Sequence, residues 1–139
     1  MKKVLLTFCL LTMSIFTFSD SVAQKSISLD DAQKIATEVF KESRKENVKV
    51  SLVILDKGGN IVLSMKDDNA GLHTLNTAEK KAFTSLTFGI TTTEFAGRVE
   101  KVPNLLQINN TTTLSGGIPL KVGNEVIGSL GIGGAPSGA

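Results

Sequence analysis

Tryptophan and tyrosine are absent from the 139 residues, and cysteine and histidine occur once each, as Cys9 and His73. A lone cysteine closes no disulfide within the chain, and one cysteine with one histidine cannot complete a structural zinc centre. No Cys, Ser or Thr stands in a recognisable nucleophile motif, and a single imidazole is the whole supply of histidine base. The phosphate-cradling pattern GxxxxGK[ST] is missing as well. Lys and Arg number 15 against 13 Asp and Glu. So small an excess gives no reason to expect nucleic acid or an anionic surface as partner.

The first residues, MKKVLLTFCLLTMSIFTFSDSVAQ, explain where the cysteine lies. Lys2 and Lys3 precede an apolar run, Val4 to Phe18, that is short for a membrane span of about 20 residues. Ser21 and Ala23 then occupy the −3 and −1 positions of a small-residue cleavage site. Residues 1–23 therefore read as a secretory signal peptide, with an uncleaved anchor as the alternative. After cleavage no thiol remains, and the loss of Lys2, Lys3 and Asp20 takes the formal charge from +2 to +1. Residues 24–139 suit a single domain with one core, with no stable membrane insertion once the leader is gone.

Ser28 and Asp31 mark the start of a first helix whose apolar stripe is Ala32, Ile35, Ala36, Val39 and Phe40 and which ends near Asn47. Val48 to Leu55 is rich in β-branched residues. The turn DKGGN comes next, and Ile61 to Lys66 returns, which makes a hairpin. A second helix carries Leu75, Ala78, Ala82, Phe83 and Leu86 on one face, with Thr74, Asn76 or Thr77 as N-cap, Lys80 and Lys81 outward and Gly89 as stop. Thr91 and Glu94 form a capping box for a short helix to about Val99. Pro103 interrupts the chain, and Asn104 to Ile108 is a second short helical or irregular piece. Thr111 to Leu114, Gly117 to Val122 and Glu125 to Ile132 read as strands. Pro119 suggests an edge or bulge in the second of these, and Gly123-Asn124 a turn before the last. The order implies an α+β domain: an antiparallel sheet with helices over its apolar faces.

Few residues stand out for chemistry. Asp67 and Asp68 read as solvated turn acids near a helix N-terminus. Gly116, Gly117, Gly128, Gly131, Gly133 and Gly134 fit either close approach to a ligand or bulges and tight helix–sheet packing. His73 sits between a polar turn and an apolar helix face, either as a surface residue or as a ligand to something flat and apolar.

Three segments together resemble a known family: SLDDAQKIATEVFKES with its hairpin, DNAGLHTLNTAEKKAFTS, and SGGIPLKVGNEVIGSLGIGGAP. They are similar to the GlcG/HbpS family of haem-binding proteins, a fold also found as the C-terminal domain of PduO-type adenosyltransferases. The resemblance implies a central antiparallel sheet of about five strands with helices on both faces, a profilin-like three-layer arrangement, and homo-oligomers. It places Ala70, Gly71, His73 and Thr74 on the family's AGxHT segment. Family members often continue past GGAP into a last helix, which this chain is expected to lack or to replace with a partner. The resemblance does not extend to the adenosyltransferase domain, so that activity is not expected to carry over.

With Cys and Tyr absent after cleavage, the candidate axial ligands for haem iron are His73, Met65 and the lysines. The expected pocket lies between the 75–88 helix and the Gly-rich last strand, with His73 as metal ligand and Met65, Lys81, Phe83 and Gly131 as further contacts. The leading expectation is a periplasmic or secreted protein that captures, buffers or senses haem without turnover. Its rivals are an enzyme or accessory acting on a small organic acid, and an oligomeric scaffold that binds haem incidentally. Cleavage after Ala23 predicts that intact-mass analysis of exported protein finds a chain beginning at Gln24. Exported material that retains Met1 would exclude it.

Overall fold

The computed structural model describes residues 22–136; the expected leader, residues 1–23, lies outside them except for its last two residues. The elements are α1 (Leu29–Lys45), β1 (Ser51–Asp56), β2 (Ile61–Lys66), α2 (Thr74–Phe88), α3 (Thr92–Lys101), a 3-10 turn (Pro103–Gln107), β3 (Gly117–Val122) and β4 (Glu125–Gly133). No helix among the described residues is long and apolar enough to cross a membrane.

Local signals fix the element ends. Ser28 Oγ accepts from the Asp31 amide at 3.1 Å and starts α1. The Thr91–Glu94 capping box forms in full at the head of α3. Gly89 ends α2 in the left-handed region, at φ 65°, with its amide donating to the Ser85 carbonyl.

The sheet is antiparallel throughout, in the order β2-β1-β4-β3. Among the described residues it has four strands where about five were expected, because Thr111 to Leu114 does not pair. There the Thr112 amide donates to Thr84 Oγ1 of α2 at 3.0 Å, so a helix side chain takes a donor that a ladder would have used. Pro119 lies on β3, which is an edge strand as its missing N–H requires.

β1 runs through the centre, with Ser51 to Leu55 all buried. On one face Ala32, Ala36 and Phe40 of α1 cover Val50, Leu52, Ile54 and Leu130. On the other, Ala78 and Ala82 of α2 lie on Val53 and Leu55. That second contact is unusually close where α2 crosses β4. A Cβ on Gly131 would run into the Ala78 carbonyl and come within 2.7 Å of the Ala82 nitrogen, and one on Gly133 would meet the Thr74 carbonyl. The packing reading of these glycines is the one the structure bears out.

Gly131→Ala therefore adds a methyl where backbone already stands, and should destabilise by about 1–3 kcal/mol or more. Gly97, inside α3, has nothing within 4 Å of its would-be Cβ. Gly97→Ala should stabilise by about 0.5–1 kcal/mol. Chemical denaturation of the two variants beside the parent checks both signs. Equal midpoints for all three would contradict the packing.

Candidate functional site

The site is built around the first two turns of α2. Its N-cap is His73, not one of Thr74, Asn76 or Thr77. His73 is at φ −90° and ψ −6°, and its side chain makes no capping bond. Thr74 turns inward instead: its hydroxyl donates to the Gly71 carbonyl at 2.7 Å and accepts from Ser51 at 2.7 Å. Thr77 Oγ1 donates to the His73 carbonyl at 2.9 Å. The imidazole is left exposed, and the neighbouring Leu72 is 99% exposed.

His73, Thr77 and Lys81 follow at four-residue steps and share one face of α2. They form one wall of a cleft of about 390 Å³; Leu114, Ser115 and Gly134 to Pro136 form the other. None of these residues is acidic, and the first turn of α2 carries no acid either.

Lys81 corrects a sequence expectation. Helical periodicity put it on the outer face beside Lys80, yet it is only 6% exposed. Its Nζ donates to the Ile132 carbonyl at 2.7 Å, at the end of β4. The residues before β3 lie over this side of α2, a second cover that one-helix periodicity cannot register. Gly116, at φ 112°, roofs the ammonium: a Cβ there would lie 3.2 Å from Nζ and 2.9 Å from the Ile132 oxygen. Burial holds the Lys81 pKa below the usual lysine value. Among the described residues the ion pairs within 4.0 Å are Lys25–Glu125, Lys34–Asp31, Lys41–Glu38 and Lys45–Glu42, and none involves Lys81.

The other expected contacts lie elsewhere. Met65 is 43% exposed on β2, at the opposite edge of the sheet from β3. Phe83 lines a small hollow of about 80 Å³ with Asn76, Glu79, Lys80 and Asn110. Gly131 is sealed under α2. The pocket expected between α2 and the last strand is thus not there: helix backbone fills that interface, and space opens only beyond the strand end, at 134–136. Of the five expected residues, His73 and Lys81 share the cleft. Thr77, Leu114, Ser115, Ala135 and Pro136, which line it with Gly134, were missed; for the last four the only sequence signal was the glycine pairs beside them. Asp67, read as solvated, is half-buried, and its Oδ2 has no hydrogen-bond partner among the described residues.

A second groove, of about 690 Å³, adjoins the cleft across Ser115, Ala135 and Pro136. Val39, Val48, Val50 and Ile132 give it apolar walls, and Glu38, Glu42 and Glu46 of α1 line it. It contains no histidine, methionine or lysine. The smaller cleft therefore holds the histidine.

Comparison with known proteins agrees with this architecture. The family model described as "Haem degrading protein HbpS-like" matches residues 27–139. A double mutant of Streptomyces reticuli HbpS superposes with a TM-score of 0.83 at 30% identity, covering 88% of this chain and 84% of that one. An uncharacterised 15.0 kDa protein of Citrobacter freundii is 30% identical over 114 residues, which is 78% of this chain and 80% of that protein. PduOC, solved as a haem complex, shares the fold with a TM-score of 0.74 at 23% identity, covering 81% of this chain and 85% of that one. The chain is a member of the HbpS-like, or GlcG/HbpS, family.

Proposed function

We propose that this chain is an exported haem-binding protein, acting in haem capture, buffering or sensing, with His73 as an axial ligand. The observation that carries this is the exposed, uncapped imidazole of His73 at the mouth of a cleft with Leu114 and Pro136 on its far wall. Among the described residues no group of three or more His, Cys, Asp or Glu could hold a metal ion. A single imidazole suits an iron whose other positions a porphyrin already fills. The family's description and the PduOC haem complex support the same ligand.

The residues fit the group in a definite way. Haem would supply an iron that His73 would hold. Neutral imidazole offers that iron a lone pair, and Thr77, bonded to the His73 carbonyl, braces the backbone that carries it. Lys81 is a poor axial ligand: its protonated amine has no lone pair, and its Nζ is committed to Ile132. Met65 lies outside the cleft. The leader motif supports a periplasmic or secreted location, and nothing in the charge pattern favours nucleic acid. Assembly into a homo-oligomer is supported by exposed apolar side chains in the second half of the chain: Val102, Leu106, Ile108 and Leu114 are each between 43% and 56% exposed.

His73→Ala should keep the fold, since most surface substitutions change stability by no more than about 0.5 kcal/mol. It should weaken hemin binding at least about tenfold, or ~1.4 kcal/mol, and move the Soret band. Met65→Leu should change neither. Unchanged hemin affinity and spectrum in His73→Ala would remove His73 as ligand. With ascorbate added, the Soret band of the parent should persist, as binding without turnover requires; its decay would favour degradation instead. Light scattering at tens of micromolar should give a mass above one chain, and a monodisperse monomer would refute the assembly.

A further inference from the structure

Lys81 is a buried cation whose charge has no counterpart among the described residues. It is 6% exposed, and one of its three donors goes to the Ile132 carbonyl. A neutral carbonyl satisfies a hydrogen bond but not a charge, and an ammonium taken from water without an anion is costly. The cleft that Lys81 lines contains no carboxylate. Gly116 brings only backbone against Nζ, where a Cβ would already stand 3.2 Å away.

The neighbouring groove provides the contrast. It is larger and has apolar walls, but Glu38, Glu42 and Glu46 line it. The two spaces meet at Ser115, Ala135 and Pro136, so a ligand at this rim meets acids on one side and an uncompensated ammonium on the other. An anionic group is drawn to the Lys81 side by both.

We propose that Lys81 is the anion-binding group of the His73 cleft: its ammonium takes a carboxylate of the ligand, so the cleft selects a flat apolar molecule that bears an acid. With haem as ligand the acid is a propionate, and to that extent the inference rests on the haem reading above. A carboxylate accepts the two remaining N–H bonds and supplies the missing charge, and charge-assisted bonds of this kind are about twice as strong as neutral ones. Lys81 would then be neither an axial ligand nor only a prop for the end of β4.

The probes are hemin, metal-free protoporphyrin IX and protoporphyrin IX dimethyl ester, titrated into the purified protein and followed by absorbance and porphyrin fluorescence. The parent should bind the free acid at least tenfold more tightly than the ester. Lys81→Met should abolish that preference while hemin still shows a His73-dependent Soret shift. Because Lys81→Met also uncaps Ile132, Ser115→Asp serves as a second variant. It places a carboxylate on an exposed residue of the same cleft, and should lower the acid-to-ester ratio without touching the core. Equal binding of acid and ester by the parent, or a ratio that survives in either folded variant, overturns the proposal. Binding of hemin without any binding of the metal-free acid also overturns it and leaves the haem reading standing. Failure of all three probes removes both.

Discussion

The approach of α2 to β4 is the constraint on which the rest of the molecule depends. Gly131 and Gly133 remove two side chains from one face of β4, and the helix backbone occupies their place. Gly117 of β3 does the same beneath the Lys81 carbonyl and Thr92. Glycine in a strand costs conformational entropy and packs nothing itself, so its return here is the height and register of the helix. That height sets where each side chain of α2 can reach. His73 falls at the sheet's end, and Lys81 falls within a hydrogen bond of Ile132. A helix lifted by even one methyl would lose the second of these.

Local chemistry made most of the fold legible. Ser28, the Thr91–Glu94 pair and Gly89 act within four residues of themselves, so their capping roles can be read without knowing what packs where. The hairpins are similar: Asp56 Oδ1 accepts from the Gly58 and Asn60 amides at 2.9 Å, a turn its own sequence encodes. What escaped the sequence depends on distant partners. Thr111 to Leu114 has the β-branched look of a strand, but Thr84 takes the Thr112 amide within it and Thr92 takes the Gly117 amide just beyond it, which pins the chain to the helices. Lys81 obeys the period of an outward residue and is covered by a segment some thirty residues further on. His73 was found because a histidine at a helix mouth needs no tertiary knowledge to be noticed; the wall opposite it belongs to two loops that only the folded sheet brings together.

The electrostatics of the site arise from the same burial. With its proton affinity lowered in the folded state, Lys81 binds fewer protons there than in the unfolded chain, over the window between its folded pKa and the ordinary lysine value of about 10.4. The contribution of this group to stability therefore rises with pH across that window, since the unfolded state holds more protons. Below the window the cost of the buried charge is present in full. An anion in the cleft raises the folded pKa and offsets that cost, so occupancy and stability are linked through a single nitrogen.

The pairing of β3 has one more consequence. The Ile132 amide donates to the Gly116 carbonyl, so the even-numbered residues entering β3 face β4 and the odd-numbered ones face outward. Of these, the Gly117 amide is already taken by Thr92 Oγ1 at 3.0 Å, and Pro119 has no amide hydrogen. The register then shifts between Leu120 and Lys121. This margin of the sheet has almost no donors left with which to template another strand. The opposite margin, β2, carries no proline. Any growth of the sheet by strand addition, whether in an ordered assembly or in aggregation, is therefore directed to one side of the molecule only.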